Sequence, residues 1–267
     1  MKSFGHRLRD WRKTRGKSQL DLALCAKVSG RHISFLETGR SLPSRGMVRR
    51  LAQTLELPLR AENILLGAAG FAPRYQERHL EHEDMGSARR ALQFILAAHE
   101  PYPAFVLNTH WTILYANQAH KRLHENIFPP EARATESSNV LRLICDPELL
   151  RPFITNWDVV APLLLKRLYR QIEVPDPDPA LIELLEELNG YPGVRGIKQD
   201  ASIAERTELL LPLQMTVDHQ SLSWFSTITT FGTPQDITLQ ELWIESFFPA
   251  DRSTESFIAA GRTLSNG

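Results

Sequence analysis

The chain has 267 residues, of which 42% are hydrophobic, with 31 Lys/Arg against 31 Asp/Glu. These values allow one or two globular domains and exclude a disordered or fibrous chain. The zero net charge hides a division: residues 1–75 hold 15 Lys/Arg and 5 Asp/Glu, about +10, and the remainder is acidic by about the same amount. A basic N-terminal unit joined to an acidic body points to a nucleic-acid reader fused to something that is not one. Cys25 and Cys145 are too far apart in sequence for a CxxC site and give no disulfide framework, which fits a reducing cytoplasm. Residues 1–16 are charged throughout and lack an apolar h-region, so they do not read as a secretory signal. No stretch reaches the roughly 18–20 apolar residues of a membrane span, so a cytoplasmic protein with no membrane partner is expected.

Five helices are predicted in the basic unit. Phe4 to Arg15 places Phe4, Leu8 and Trp11 at helical spacing, and Gly16 stops it. Ser18 can cap a second helix, Gln19 to Ala26, with Leu20, Ala23 and Leu24 as its apolar positions. Ser29 can cap a third, Gly30 to Thr38, stopped by Gly39; Ser44 can cap a fourth, Arg45 to Leu55; a fifth runs from about Leu59 to Ala68. Cys25 is read as a small core or boundary residue.

Two short helices with a tight link have the layout of a helix-turn-helix, which puts the start of the third helix in the major groove of double-stranded DNA. There the sequence offers Ser29, Gly30, Arg31, His32 and Ser34. Arg31 is the expected base reader, because a guanidinium grips guanine with two hydrogen bonds. Gln19 opens the second helix, where a side-chain amide and the helix dipole can hold a phosphate. Arg40, Arg45 and Arg49 follow the reading helix and suit backbone contacts, while His32 suits either DNA or solvent. The run Ser18-Gln19, Ile33-Ser34-Phe35-Leu36-Glu37-Thr38-Gly39-Arg40 and Pro43-Ser44 resembles the Cro-like, XRE-type helix-turn-helix over about residues 4–60. Many members of that family carry Gln or Thr where Gly30 stands. A glycine reads no base, so specificity is expected to rest on Arg31 and Ser34.

Residues 73–90 read as a linker leading into a helix that runs from about Ser87 to His99, with Ala91, Phe94, Ile95 and Ala98 on its apolar face. His79 and His82 flank acidic residues here; a solvated linker and a metal site are both open readings, though the spacing matches no standard site. In the acidic body, Ala104 to Leu107 and Trp111 to Tyr115 are predicted strands joined by a hairpin, and Asn117 caps a helix through Leu123. Val140 to Ile144, Pro147 to Phe153, Asp158 to Gln171 and Pro179 to Leu188 read as helices. Glu208 to Val217, Leu222 to Thr230 and Glu241 to Phe247 read as strands. Residues 256–267 read as a tail. The expected fold is an all-α five-helix bundle over 1–72, then an α+β PAS-like domain with an antiparallel sheet over 91–255.

Pro103-Ala104-Phe105-Val106-Leu107, Asn156-Trp157, Thr230-Phe231-Gly232-Thr233-Pro234-Gln235-Asp236 and Glu245-Ser246-Phe247-Phe248-Pro249-Ala250-Asp251 resemble the ligand-binding domain of MmyB-like transcription regulators. The resemblance implies a PAS-like sensor with an apolar cavity, a fatty acid as effector and no other cofactor. Phe105, Trp111, Leu114, Phe153, Trp157, Phe225 and Phe231 suit either a small-molecule pocket or an ordinary core. Arg167 and Arg170 are candidate anchors for a carboxylate, or a solvated helix edge. His120 and His124 at i, i+4 beside Glu125 have zinc-binding spacing, but no third ligand is evident. Thr233-Pro234-Gln235-Asp236 reads as a turn with Asp236 as a cap. The sequence has no GxSxG, HExxH, P-loop or GxGxxG, so no enzyme is expected. The reading is a homodimeric regulator that binds operator DNA and senses an apolar small molecule. Its rivals are a ligand-free dimerisation or partner-docking domain on the same DNA reader, and a small-molecule enzyme with a regulatory head.

Overall fold

The computed structural model describes residues 2–128, 137–197, 213–217 and 219–264. In chain order the helices and strands are α1 (Phe4–Thr14), α2 (Gln19–Cys25), α3 (Gly30–Glu37), α4 (Arg45–Thr54), α5 (Leu59–Ala68), α6 (Gly86–Ala98), β1 (Ala104–Leu107), β2 (Ile113–Ala116), α7 (Gln118–Ile127) and α8 (Val140–Cys145). They continue with α9 (Trp157–Ile172), α10 (Pro179–Leu188), β3 (Leu213–Val217), β4 (Gln220–Thr229), α11 (Ile237–Gln240), β5 (Trp243–Pro249) and α12 (Arg252–Leu264). Two compact units result. The first is Met1–His79 with Glu173–Pro177 and Gly232–Gln240; the second is Leu80–Ile172 with Asp178–Phe231 and Glu241–Gly267.

Serines start four helices of the first unit. The hydroxyls of Ser3, Ser18, Ser29 and Ser44 accept from the backbone N–H of His6, Asp21, His32 and Met47, which satisfies donors a helix start leaves open. Gly16 and Gly39 take φ of 63° and 73° just past α1 and α3, the left-handed backbone that ends a helix. The apolar stripes meet in one core of Leu8, Trp11, Leu22, Ile33, Leu36 and Leu51, all buried. Gly5 lets α1 lie directly on the end of α3: a Cβ there would stand 2.5 Å from the Glu37 carbonyl oxygen. Cys25, expected in the core or at its boundary, is the last residue of α2 and is exposed, because Leu22 and Ala26 supply the buried face.

A buried ion pair ties α1 to α3. Arg12 Nε donates to Glu37 Oε1 at 2.6 Å and Arg12 Nη2 to Glu37 Oε2 at 3.1 Å; Arg12 Nη1 also donates to the Lys17 carbonyl at 2.7 Å. Glu37 is 7% exposed. The hydrogen-bonded carboxylate raises the Arg12 pKa against the opposing effect of burial.

The expected linker begins inside this unit. Asn63 on α5 donates to the Tyr75 carbonyl and accepts from the N–H of Arg74 and Tyr75, so the chain after α5 folds back onto it. Two later segments complete the unit. In Glu173–Pro177, Asp176 pairs with Arg7 and Val174 packs on the core. In Gly232–Gln240, Asp236 forms a bridge with Gln76 and pairs with Arg78 at 3.0 Å, and Gln240 accepts from the Leu59 N–H at 2.7 Å. Asp236 also accepts from the Thr238 N–H, as a turn cap would.

The second unit is built on a five-stranded antiparallel sheet in the order β2-β1-β5-β4-β3. Asn117, buried, locks β1 to α7: its Oδ1 accepts from the N–H of Ala104 and His120, and its Nδ2 donates to the Tyr102 carbonyl. Strand β2 starts later than Trp111, because Asn108 Oδ1 accepts from the N–H of His110 and Thr112 and holds a turn in which Trp111 has φ 65°. The helix expected over Pro147–Phe153 is only a 3-10 turn at Arg151–Phe153. Asp146 caps a turn at Glu148, and the Leu150 N–H returns to the Leu143 carbonyl. The expected strand Glu208–Val217 is described only as Leu213–Val217; its first five residues lie outside the described part.

Two further differences concern surfaces. Helix α6 buries Ala88, Leu92 and Leu96, not the stripe Ala91, Phe94, Ile95 and Ala98; Phe94 is 74% exposed. Both stripes are apolar at helical spacing, so periodicity alone did not choose between them. The expected tail is instead α12, and Phe257 and Ile258 pack against the cluster around Trp224 and Leu222.

Candidate nucleic-acid interface and ligand cavity

The start of α3 stands clear of the core. Arg31 is exposed and forms no hydrogen bond or ion pair among the described residues; its guanidinium lies 5.1 Å from the Phe35 ring centroid, with Arg40 at 5.9 Å from the same ring. One half-buried aromatic thus props two exposed cations, one at the start of α3 and one just past its end. The Ser29 hydroxyl is taken up by its cap, and a side chain at Gly30 would meet no atom within 4 Å. His32 and Ser34 are half-buried, Arg45 is exposed at the first turn of α4, and Arg49 reaches Glu62 at 3.9 Å. Gln19 is engaged internally, its amide donating to Glu37 Oε2 at 2.8 Å. The Asp21 carboxylate accepts from the Ser18 N–H at the same helix start, and these Ser18 bonds hold its pKa down. An anion therefore meets a negative charge at the start of α2.

In the second unit the pleat sets the site. Side chains two apart share a sheet face, so Phe105 on β1, Glu245 and Phe247 on β5, Trp224 and Ser226 on β4, and Leu213 on β3 turn the same way. Helices α7, α8 and α9 add His120, Leu143, Ile144 and Leu164, and together these line a partly open cavity of about 250 Å³. A smaller cavity of about 80 Å³ adjoins it and shares seven lining residues, among them Phe105, Leu143, Trp224 and Phe247; it continues to Ile127, Phe128 and Met215. Together they reach the low end of the roughly 300–1,000 Å³ usual for small-molecule pockets. A larger surface groove of about 900 Å³ between α7 and α12 meets the smaller cavity at Pro103, Leu123 and Trp224.

The guanidinium and the carboxyl lie at one end. Arg167, Glu245 and Ser226 line the larger cavity and not the smaller one. The Arg167 guanidinium lies 4.8 Å from the Trp111 ring centroid and 5.8 Å from that of Trp243, and it forms no hydrogen bond among the described residues. Burial lowers its pKa and nearby Glu245 partly opposes this. Glu245, 7% exposed, accepts from Ser226 Oγ at 2.8 Å; burial raises its pKa, while Arg167 and Ser226 act the other way. His120 is pushed down to about 4 by burial and by His124, so it is neutral at pH 7. Trp224 Nε1 is buried without a hydrogen-bond partner among the described residues.

Of the nine residues expected at a ligand, Phe105 and Arg167 line the cavity. Trp111 stands behind Arg167, its indole N–H donating to Gln171. Trp157 donates to the Ile144 carbonyl and holds Arg151 3.7 Å over its ring. Phe153 packs at the edge of the neighbouring core, and Phe225 stacks on Phe248. Leu114 and Arg170 are exposed and Phe231 is half-buried, none of them on the cavity wall. Sequence reasoning missed Glu245, Ser226, Trp224 and Phe247. Their signal was the alternation of Trp243, Glu245 and Phe247, which puts a carboxyl on an otherwise aromatic face. Among the described residues no group of three or more His, Cys, Asp or Glu converges as a metal site would, and no helix is long and apolar enough to cross a membrane.

Comparison with known families follows the same division. Residues 3–63 match a helix-turn-helix domain family, and residues 88–260 match the family described as the MmyB-like transcription regulator ligand binding domain. No curated protein matches the chain significantly. A solved structure described as an RNA-binding light-oxygen-voltage receptor is 10% identical, with a TM-score of 0.25 over 99% of this chain and 65% of that one. A likeness at that level carries no argument.

Proposed function

Because the chain belongs to the family of MmyB-like transcription regulators and carries a helix-turn-helix domain, it is a DNA-binding regulator, and we propose that its effector is a single-chain apolar acid held in the cavity of the second unit. The observation that carries this reading is Arg167, a guanidinium with no hydrogen bond among the described residues, at the polar end of a mainly apolar cavity. An acid with its head at Arg167 and its chain running toward Phe128 and Met215 satisfies the donors and fills the apolar end. The indole N–H of Trp224, buried with no partner among the described residues, also favours a ligand with an acceptor, since buried donors are normally paired.

The reader is the start of α3, with Arg31 toward base edges and Arg40 and Arg45 toward phosphates. Pairing of two chains is supported by the exposed Phe94, Ile95 and Ala98, with half-buried Ala91, on α6. A two-fold pair reads half-sites about one helical turn apart. Two segments carry the effector's influence to the reader. Glu173–Pro177 follows directly on α9, whose Leu164 and Arg167 line the cavity; Gly232–Gln240 joins β4 to β5, which carry Ser226 and Glu245. Both segments are part of the DNA-reading unit, so a ligand that shifts α9 or the β4–β5 pair acts on chain already belonging to it. The ligand must then prefer one arrangement of those segments energetically.

The test is binding of decanoate and decanol to the full chain. Decanoate binds the wild type, and Arg167→Met weakens it by about 1.5–3 kcal/mol, the usual range for a hydrogen bond to a charged group. Decanol is little affected. Equal decanoate affinity in wild type and Arg167→Met would overturn the anchor.

A further inference from the structure

The polar end of the cavity holds a second ionisable group, and its position makes charge bookkeeping unavoidable. Glu245 sits in the middle of β5, opposite Phe105 on β1 and Ile228 on β4, and among the described residues only Ser226 Oγ donates to it. Arg167 faces the same cavity without forming an ion pair with it among the described residues. With Glu245 ionised, the two charges cancel across the cavity. A carboxylate arriving at Arg167 would leave a net negative charge inside an apolar wall, which is costly unless a proton enters with it.

We propose that Glu245 sets the head-group specificity of the cavity: an anionic head binds Arg167 together with one proton, which Glu245 takes up, so that the cavity admits a single negative charge and no more. The inference rests on Arg167 as the anchor for an acid. The proton passes from solvent to a Glu245 carboxylate oxygen. The resulting carboxyl still accepts from Ser226 through its other lone pairs and gains an O–H that can donate to the incoming head.

The groups facing Glu245 leave one place for that proton. Helix α9 contributes Arg167, which keeps its charge, and α7 contributes His120, which is neutral with a pKa near 4. Strand β4 contributes Ser226 and Trp224, β1 contributes Phe105, and α8 contributes Val140, Leu143 and Ile144, none of them titratable in the neutral range. Heads with two charges, such as a phosphate monoester or a geminal dicarboxylate, are rejected. A neutral head binds without a proton.

The test is calorimetric titration of the full chain with decanoate from about pH 6 to about pH 9, each pH in two buffers of different ionisation enthalpy, which counts protons directly. The expected result is an uptake that rises toward one proton per decanoate as pH rises, with affinity falling toward about tenfold per pH unit in the same range. Decanol takes up none. Glu245→Gln binds decanoate with flat affinity and no uptake, and if that variant fails to fold, the wild-type proton count still decides. Decanoate binding to the wild type with no uptake anywhere in the range overturns the inference and leaves the anchor standing. Uptake that survives in Glu245→Gln overturns it too, by placing the proton on another group. No decanoate binding at any pH overturns the Arg167 reading and this inference with it.

Discussion

Replacing Glu37 by alanine is expected to cost the DNA-reading unit about 3–5 kcal/mol, the range for removing one partner of a buried ion pair. The magnitude follows from what remains. Arg12, largely buried, loses both its charge-assisted bonds at 2.6 and 3.1 Å and keeps, among the described residues, only the Lys17 carbonyl; Gln19 loses its acceptor at 2.8 Å. That is a large part of the stability of a domain this size. Amide hydrogen exchange in α1 and α3 of the full chain reads the loss locally, so stability elsewhere does not mask it. The pair Arg12→Met with Glu37→Leu should recover most of the loss, because apolar residues of similar volume replace a buried ion pair at little cost. If Glu37→Ala exchanged within about 1 kcal/mol of wild type, the pair would be peripheral to the fold, against its burial between α1 and α3.

The second large effect is on recognition. Arg31→Ala should cost about 1–3 kcal/mol of specific binding while non-specific binding changes far less. The reason is geometric: Arg31 is exposed at the start of α3, stacked by Phe35, and none of its donors has a partner among the described residues. Arg45→Ala serves as the contrast. Without a guanidinium to hold a phosphate there, binding should weaken on all sequences alike and the salt slope should fall by about 0.9. Equal losses on specific and random duplexes for Arg31→Ala would move Arg31 from base reading to backbone binding.

Much of the first unit was legible because its signals are local. A serine three residues ahead of a backbone N–H, or a glycine after a helical stripe, needs no partner from elsewhere in the chain, and Ser18, Ser29, Ser44, Gly16 and Gly39 behave as such rules require. What lay beyond local rules was where a residue's partner comes from. Val174 and Asp176 sit in a proline-rich stretch that reads as an interruption between helices. Their role depends on Arg7 and a core formed some 170 residues earlier. The turn at Asp236 was recognisable, yet nothing near it foretold its partner Arg78.

The cavity shows the same limit. Arg167 was legible as a cation on an apolar helix, but Glu245 and Ser226 meet it only through the β4–β5 register, a long-range pairing. The aromatic residues were chosen by size rather than by face. For that reason Trp111 and Trp157, which brace arginines from behind, were expected where Trp224 and Phe247 line the wall. On α6 two apolar stripes competed, and Ala88, Leu92 and Leu96 won the buried side while Phe94 stayed in solvent.

The central claim is that an acid in the cavity changes how the helix-turn-helix binds DNA. Its most direct measurement is the affinity of the full chain, stripped of bound lipid, for a duplex selected from a random pool, with and without saturating decanoate. The predicted result is a change of at least about fivefold, the lower end of an allosteric coupling of 1–3 kcal/mol, that disappears in Arg167→Met. Equal affinities for the duplex with decanoate bound and absent would contradict the account.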